Sequence, residues 1–120
     1  MESRPKTIFC DIDGTLIKHF PPTVTCLPNF QPEILDGTVE TILEWDKKGY
    51  NIILISGRRE SLRQQTQLQL GKLGIIYDKL ILGIGGGKRI LINDRKPNSA
   101  ENYAIAINLK RDSGIKNLDL

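Results

Sequence analysis

Short apolar runs alternate with stretches of helical periodicity along most of the chain. Residues 7–10, TIFC, are nearly continuously apolar and predict a strand covered on both faces, hence central in a sheet. Residues 18–35 hold Pro21, Pro22, Pro28 and Pro32. Proline lacks the backbone donor that a helix interior or a central strand needs, so this stretch is expected to be a loop or a small hairpin flap. A helix is predicted over residues 38–48, with Val39, Ile42 and Leu43 on one face. Asp36 or Thr38 is placed to cap it, Lys47 and Lys48 suit its C-terminal dipole, and Gly49 suits a left-handed cap. A second strand follows at 51–55. A second helix is expected over 60–73, with Leu62, Thr66, Leu70 and Leu73 as its inner stripe. Residues 79–82 and 89–93 read as third and fourth strands joined by the glycine run 83–87. Residues 97–103 include a candidate helical turn, 104–108 a fifth strand, and 111–120 are weakly patterned.

This alternation predicts an α/β fold, a three-layer α/β/α domain around a central, mostly parallel sheet. With 120 residues, 39% hydrophobic and 26% charged, the chain supports one core, and residues 1–120 are read as a single domain. The net charge is +3, spread over separated pairs such as Lys47-Lys48, Arg58-Arg59 and Arg95-Lys96. No basic run interleaved with aromatics argues for a dedicated nucleic-acid binder, and an anionic small substrate fits the charge equally well. The two cysteines, Cys10 and Cys26, follow no metal-binding or disulfide pattern. The N-terminus lacks the apolar core of a signal peptide, and no apolar run is long enough to span a membrane. A cytoplasmic location with no membrane partner is the expectation.

The chemistry concentrates at strand ends, beyond whose carboxyl termini open parallel sheets bind ligands. Strand one ends in Asp11-Ile12-Asp13-Gly14-Thr15, strand two in Ser56-Gly57-Arg58, and strand four in Asn93-Asp94-Arg95. A single aspartate after a strand is ordinarily a turn or a cap. Asp11 and Asp13, two residues apart on an extended backbone, face the same way. Two carboxylates in one small site repel unless a cation or proton lies between them. Asp94 is expected to add a third oxygen ligand, and such an oxygen-rich set suits Mg²⁺. Ser56 offers a hydroxyl, Gly57 room for backbone amides to approach an anion, and Lys88 a point charge. Together these groups describe a cradle for a phosphoryl group. The glycine run GIGGGKR does not have the phosphate-loop spacing and leads toward a strand, which excludes that kind of kinase.

The ordered set, Asp-x-Asp-x-Thr, then a strand-end serine, then a basic residue, then an acidic strand end, resembles the haloacid dehalogenase-like superfamily of phosphohydrolases over residues 7–108. The resemblance implies Asp11 as the nucleophile that forms an aspartyl-phosphate. It implies Asp13 as the acid and base, and Mg²⁺ held by Asp11, the Asp13 carbonyl and Asp94. Thr15 would orient Asp13 or its loop, while Ser56 and Gly57 bind phosphate oxygens. The lysine is Lys88 or Lys79. Asn93 and Asn98 stand near Asp94 where relatives often carry a second acid. Arg58 and Arg95 are rim candidates for a further anionic group on the substrate, and His19 is most simply a loop residue. Neither inter-motif interval holds a separate cap domain, so a capless, open site is expected, with a possible homo-oligomer covering it. The resulting expectation is a Mg²⁺-dependent phosphomonoesterase acting on a small phosphorylated substrate, a sugar phosphate or nucleotide. The alternatives are a catalytically weak phosphoryl-binding partner protein and a phosphatase of nucleic-acid ends.

Overall fold

The computed structural model describes residues 4–120. Its architecture is a three-layer α/β/α fold around a central parallel sheet of three strands, ordered β1-β2-β3. The strands are β1 (Thr7–Asp11), β2 (Asn51–Ile55) and β3 (Lys79–Ile81). β1 and β2 run in register from Thr7 opposite Asn51 to Asp11 opposite Ile55, so their carboxyl ends lie side by side. A short helix, α1 (Pro22–Thr25), lies in the proline-rich stretch. The two main helices are α2 (Thr38–Lys47) and α3 (Arg63–Leu73), the latter preceded by a 3-10 turn at Glu60–Leu62.

Alternation along the strands decides what is buried. Cys10, Ile52, Leu54 and Leu80 point into the core with Ile42 and Trp45 of α2 and Leu70 of α3. The opposite positions are more open, with Phe9 52% and Ile81 40% exposed. Residues 18–35 form a flap that is closed at its base. Ile17 pairs antiparallel with Ile34, the Lys18 N–H donates to the Glu33 carbonyl at 2.8 Å, and Phe20 meets Phe30 edge-on. The expected side-chain cap on α2 is absent. Gly37 holds the cap position at φ 81°, Thr38 donates instead to the Leu16 carbonyl at 2.9 Å, and Asp36 pairs with Lys116. Gly49 takes the left-handed conformation expected of it.

Beyond β3 the structure departs from the periodicity. No strand forms over 89–93 or 104–108, and no helical turn over 97–103. Ile90 and Ile92 are 84% and 91% exposed. Strand-like propensity is realised only where a neighbour accepts the hydrogen-bond ladder, and here the run lies off the sheet. The weakly patterned tail, by contrast, is packed. Ile115 joins the core, Thr41 donates to its carbonyl, Lys48 pairs with Asp119, and the Tyr50 hydroxyl donates to the Leu120 carbonyl at 2.6 Å. Residues 110–120 thus form a strap along α2 that reaches the loop after β1.

Candidate functional site at the end of the first strand

Asp11 closes β1, and Ile12, fully buried, anchors the next position in the core. Because side chains alternate, Asp11 and Asp13 are left on the other side of the chain from Ile12. Gly14 then turns the backbone at φ 90°, a conformation that disfavours any residue with a side chain. The turn is locked by N–H groups of Gly14 and Leu16 donating to the carbonyls of Ile17 and Ile12, at 2.7 and 2.9 Å. Thr15 Oγ1 donates to Asp11 Oδ2 at 3.3 Å. Thr15 therefore holds the first aspartate, where the expectation was that it orients Asp13 or its loop. Burial raises the pKa of Asp11 above the ordinary carboxylate value. The charge of Asp13 adds to the rise, while a hydrogen bond from the Ile12 N–H, the Thr15 hydroxyl and the charge of Arg89 oppose it. Burial also pushes the Cys10 thiol beneath to about 12, which leaves it protonated and inert.

Asp13 has a different support. Arg58 grips it with two parallel bonds, Nε to Oδ2 at 3.0 Å and Nη2 to Oδ1 at 2.9 Å. The remaining guanidinium nitrogen donates to Thr66 Oγ1 and Gln69 Oε1 on α3, at 3.2 and 2.8 Å. Arg58 was expected at the rim, free for substrate. It is instead buried at the centre of a network tying the β1 end to α3. A planar fork that satisfies a carboxylate bidentately fixes that carboxylate's orientation.

Ser56 follows β2 and is almost fully buried, its Oγ accepting the Arg58 N–H at 3.0 Å. Gly57 lies under the glycine run: a Cβ there would come within 2.7 Å of the Gly85 carbonyl oxygen. The Gly83 N–H donates to the Arg58 carbonyl at 2.7 Å. The run therefore folds back over the end of β2. Lys88 makes no hydrogen bond or ion pair among the described residues, and Lys79 begins β3 at the end away from the site. The cation of this run whose charge bears on Asp11 is Arg89.

Asp94 is exposed and lines a separate shallow depression with Asn93, Arg95, Asn102 and Tyr103. Arg95 donates to Asn102 Oδ1 at 2.7 Å. With 89–93 off the sheet, the third strand end predicted for the site does not reach it. Among the described residues no three His, Cys, Asp or Glu side chains gather into a cluster fit for a metal. The donor set expected for Mg²⁺ is thus incomplete here, since Asp11 and Asp13 come together without Asp94.

Two contributors were missed by the sequence reading. Arg111 lies over the Gly14 turn, where a Cβ on Gly14 would be 3.5 Å from its Cγ and 3.7 Å from the Cβ of His19. It is held there by Asp112, whose N–H donates to the Gly14 carbonyl and whose Oδ1 accepts the His19 N–H, both at 2.8 Å. The available signal was turn chemistry: Asp112-Ser113-Gly114 interrupts the tail before one isolated apolar residue, Ile115.

No family model and no curated protein matches the chain. Solved structures do. A component of a Pnkp1/Rnl/Hen1 complex is 30% identical with a TM-score of 0.58, over 73% of this chain and 31% of that one. A component of the Pnkp1/Rnl/Hen1 RNA repair complex is 26% identical with a TM-score of 0.55, over 82% of this chain and 28% of that one. A structural-genomics target from Vibrio cholerae shares the fold at 17% identity and a TM-score of 0.52, over 73% of this chain and 79% of that one. The chain spans under a third of the first two.

These likenesses overturn the partner expectation, which was a small phosphorylated substrate, no dedicated nucleic-acid binding and a possible homo-oligomer. Structures that share the fold at the higher identities are components of a multi-protein RNA-repair complex. The physical reason is that charge was sought as a linear run. Arg89 and Arg111 are far apart in sequence, yet the fold brings the charge of one to bear on Asp11 and lays the other over the Gly14 turn. No helix among the described residues is long and apolar enough to cross a membrane.

Proposed function

We propose that the chain is a phosphatase domain for the phosphorylated ends of RNA, working with the other proteins of a repair assembly. The observation that carries this reading is a pair of carboxylates at a parallel strand end, each held by its own donor. Asp11 is held by Thr15 and Asp13 by Arg58, in a fold shared with RNA-repair components. The haloacid dehalogenase-like motif order supplies the chemistry, and the likeness to repair components supplies the substrate class.

In the proposed reaction a carboxylate oxygen of Asp11 attacks phosphorus, and the bond from phosphorus to the ribose oxygen breaks. Asp13 gives its proton to that leaving oxygen. Water then attacks the aspartyl-phosphate, Asp13 takes a proton from it, and inorganic phosphate departs with Asp11 restored. Arg58 occupies one direction on each Asp13 oxygen and leaves another for the proton. Ser56, the Gly57 amide and a cation of the glycine run, Lys88 or Arg89, are proposed to hold the phosphate oxygens. For that the run must lift from Gly57. Mg²⁺ is the proposed cofactor, with Asp11 and the Asp13 carbonyl as donors and Asp94 added only if its segment moves to the site.

The test is phosphate release from RNA oligonucleotides bearing a 3′- or 5′-phosphate, with Mg²⁺ or with EDTA, by wild type and Asp11→Asn. The expected outcome is release from one end type, at least 10³-fold slower in Asp11→Asn, on the order of the loss when a covalent nucleophile is removed. The separation of Asp94 from the pair favours a second reading, a phosphoryl-binding partner with weak turnover. Tight binding of phosphorylated ends without release would select it.

A further inference from the structure

The Gly14 turn carries a basic group that the proposed reaction does not use. Arg111 is exposed and makes no ion pair or hydrogen bond among the described residues, although Asp112 is its neighbour. Asp112 is committed elsewhere, bonded through its N–H to Gly14 and through its carboxylate to the His19 N–H. It adopts a left-handed backbone at φ 64°, a strained choice for a residue other than glycine, and so fixes where Arg111 leaves the strap. Beside it, both ring nitrogens of His19 are shut off from solvent and have no hydrogen-bond partner. Polar groups so placed are ordinarily paired, and leaving them unpaired costs free energy. The turn thus holds an unpaired guanidinium and an unpaired imidazole next to the aspartate pair. An anion lying across it would pair with the exposed guanidinium at once, and with one N–H of the imidazole when the ring turns outward to meet it.

We propose that Arg111 and His19 form a second anion subsite beside the Gly14 turn, which takes the phosphodiester adjoining the terminal phosphate of single-stranded RNA. This rests on the reading of the site as an RNA-end phosphatase and extends it, by making the strap the element that distinguishes a polynucleotide end from a free nucleotide. Arg111 contacts substrate away from the reacting atoms. Its role is in binding the chain, and the chemical step belongs to Asp11 and Asp13.

The experiment compares wild type, Arg111→Ala, Arg111→Lys and His19→Ala on two substrates, one with and one without an adjoining phosphodiester. These are a terminally phosphorylated RNA oligonucleotide and the corresponding mononucleotide. Binding of the same oligonucleotide, labelled with a fluorophore, is followed by anisotropy across a salt series. Arg111→Ala is expected to raise KM for the oligonucleotide roughly tenfold, the scale of one charge-assisted hydrogen bond. It leaves kcat and the mononucleotide KM within twofold of wild type. The salt slope of oligonucleotide binding falls by about 0.7, the share of one phosphate contact on a single strand. Arg111→Lys restores the slope and part of the KM, and His19→Ala raises the oligonucleotide KM alone. Equal losses on both substrates would reduce Arg111 to a prop for the turn and overturn the proposal, as would an unchanged salt slope. If wild type releases phosphate from neither substrate, the phosphatase reading fails by itself. The subsite then stands if the slope still depends on Arg111 and falls if it does not.

Discussion

At the residue scale, Asp11 keeps its carboxylate in a setting that opposes its charge. Its folded pKa lies above the ordinary value of 3.8, first because of burial and then because of Asp13. An acid with a raised folded pKa binds its proton more tightly in the native state than in the unfolded chain. Its favourable contribution is therefore complete below pH 3.8 and is lost as pH rises through the folded pKa. At neutral pH the ionised Asp11 opposes folding. Asp11→Asn is accordingly expected to melt at a higher temperature than wild type at pH 7, with the gap closing as the pH is lowered through the acid range. Thermal melts of the two proteins across pH check this. The aspartate pair was legible in sequence because a spacing of two on a strand fixes a shared side. The grip of Arg58 on Asp13 was not, because the contact spans 45 residues and nothing local encodes whether an arginine after a strand turns inward or out.

At the scale of elements, legibility followed whether a pattern could find its neighbour. Three strands and two long helices were readable because Cys10, Ile52, Leu54, Leu70 and Leu80 meet in one core. The runs at 89–93 and 104–108 have the composition of strands but no adjoining ladder, and their isoleucines stay in water. The glycine run between β3 and these segments was read as a connector beside Lys88 that lacks the phosphate-loop spacing. Its fit against Gly57 comes from tertiary packing that a sequence does not display. That fit gives a sharp expectation for Gly57→Ala. The added methyl would strike the Gly85 carbonyl, so the variant should lose about 1–3 kcal/mol of stability in urea denaturation, the scale of an overpacked site. Its glycine run should exchange amide hydrogens faster than in wild type. Gly86→Ala, where a Cβ meets nothing, should behave as wild type.

For the whole molecule, the tail is the part whose importance sequence patterning hid most completely. Ile115 is a single apolar residue among polar neighbours and shows no periodicity, yet it is 2% exposed. Ile115→Ala should cost about 2–5 kcal/mol, as buried large-to-small changes do, measurable as a lowered urea midpoint with an unchanged slope. The radius of gyration, 15.2 Å, exceeds the roughly 13.6 Å of a fully condensed chain of this length, in keeping with the exposed segment 84–109. The strap follows that segment in the chain, so His19 waits for Asp112, a partner 93 residues further along. During synthesis the loop that carries Asp11 and Asp13 therefore leaves the ribosome long before its clamp has been translated. A nascent chain that has not yet reached residue 110 carries both aspartates but lacks the arm that positions Arg111, so the Gly14 turn gains its clamp only after the whole segment between them has been made.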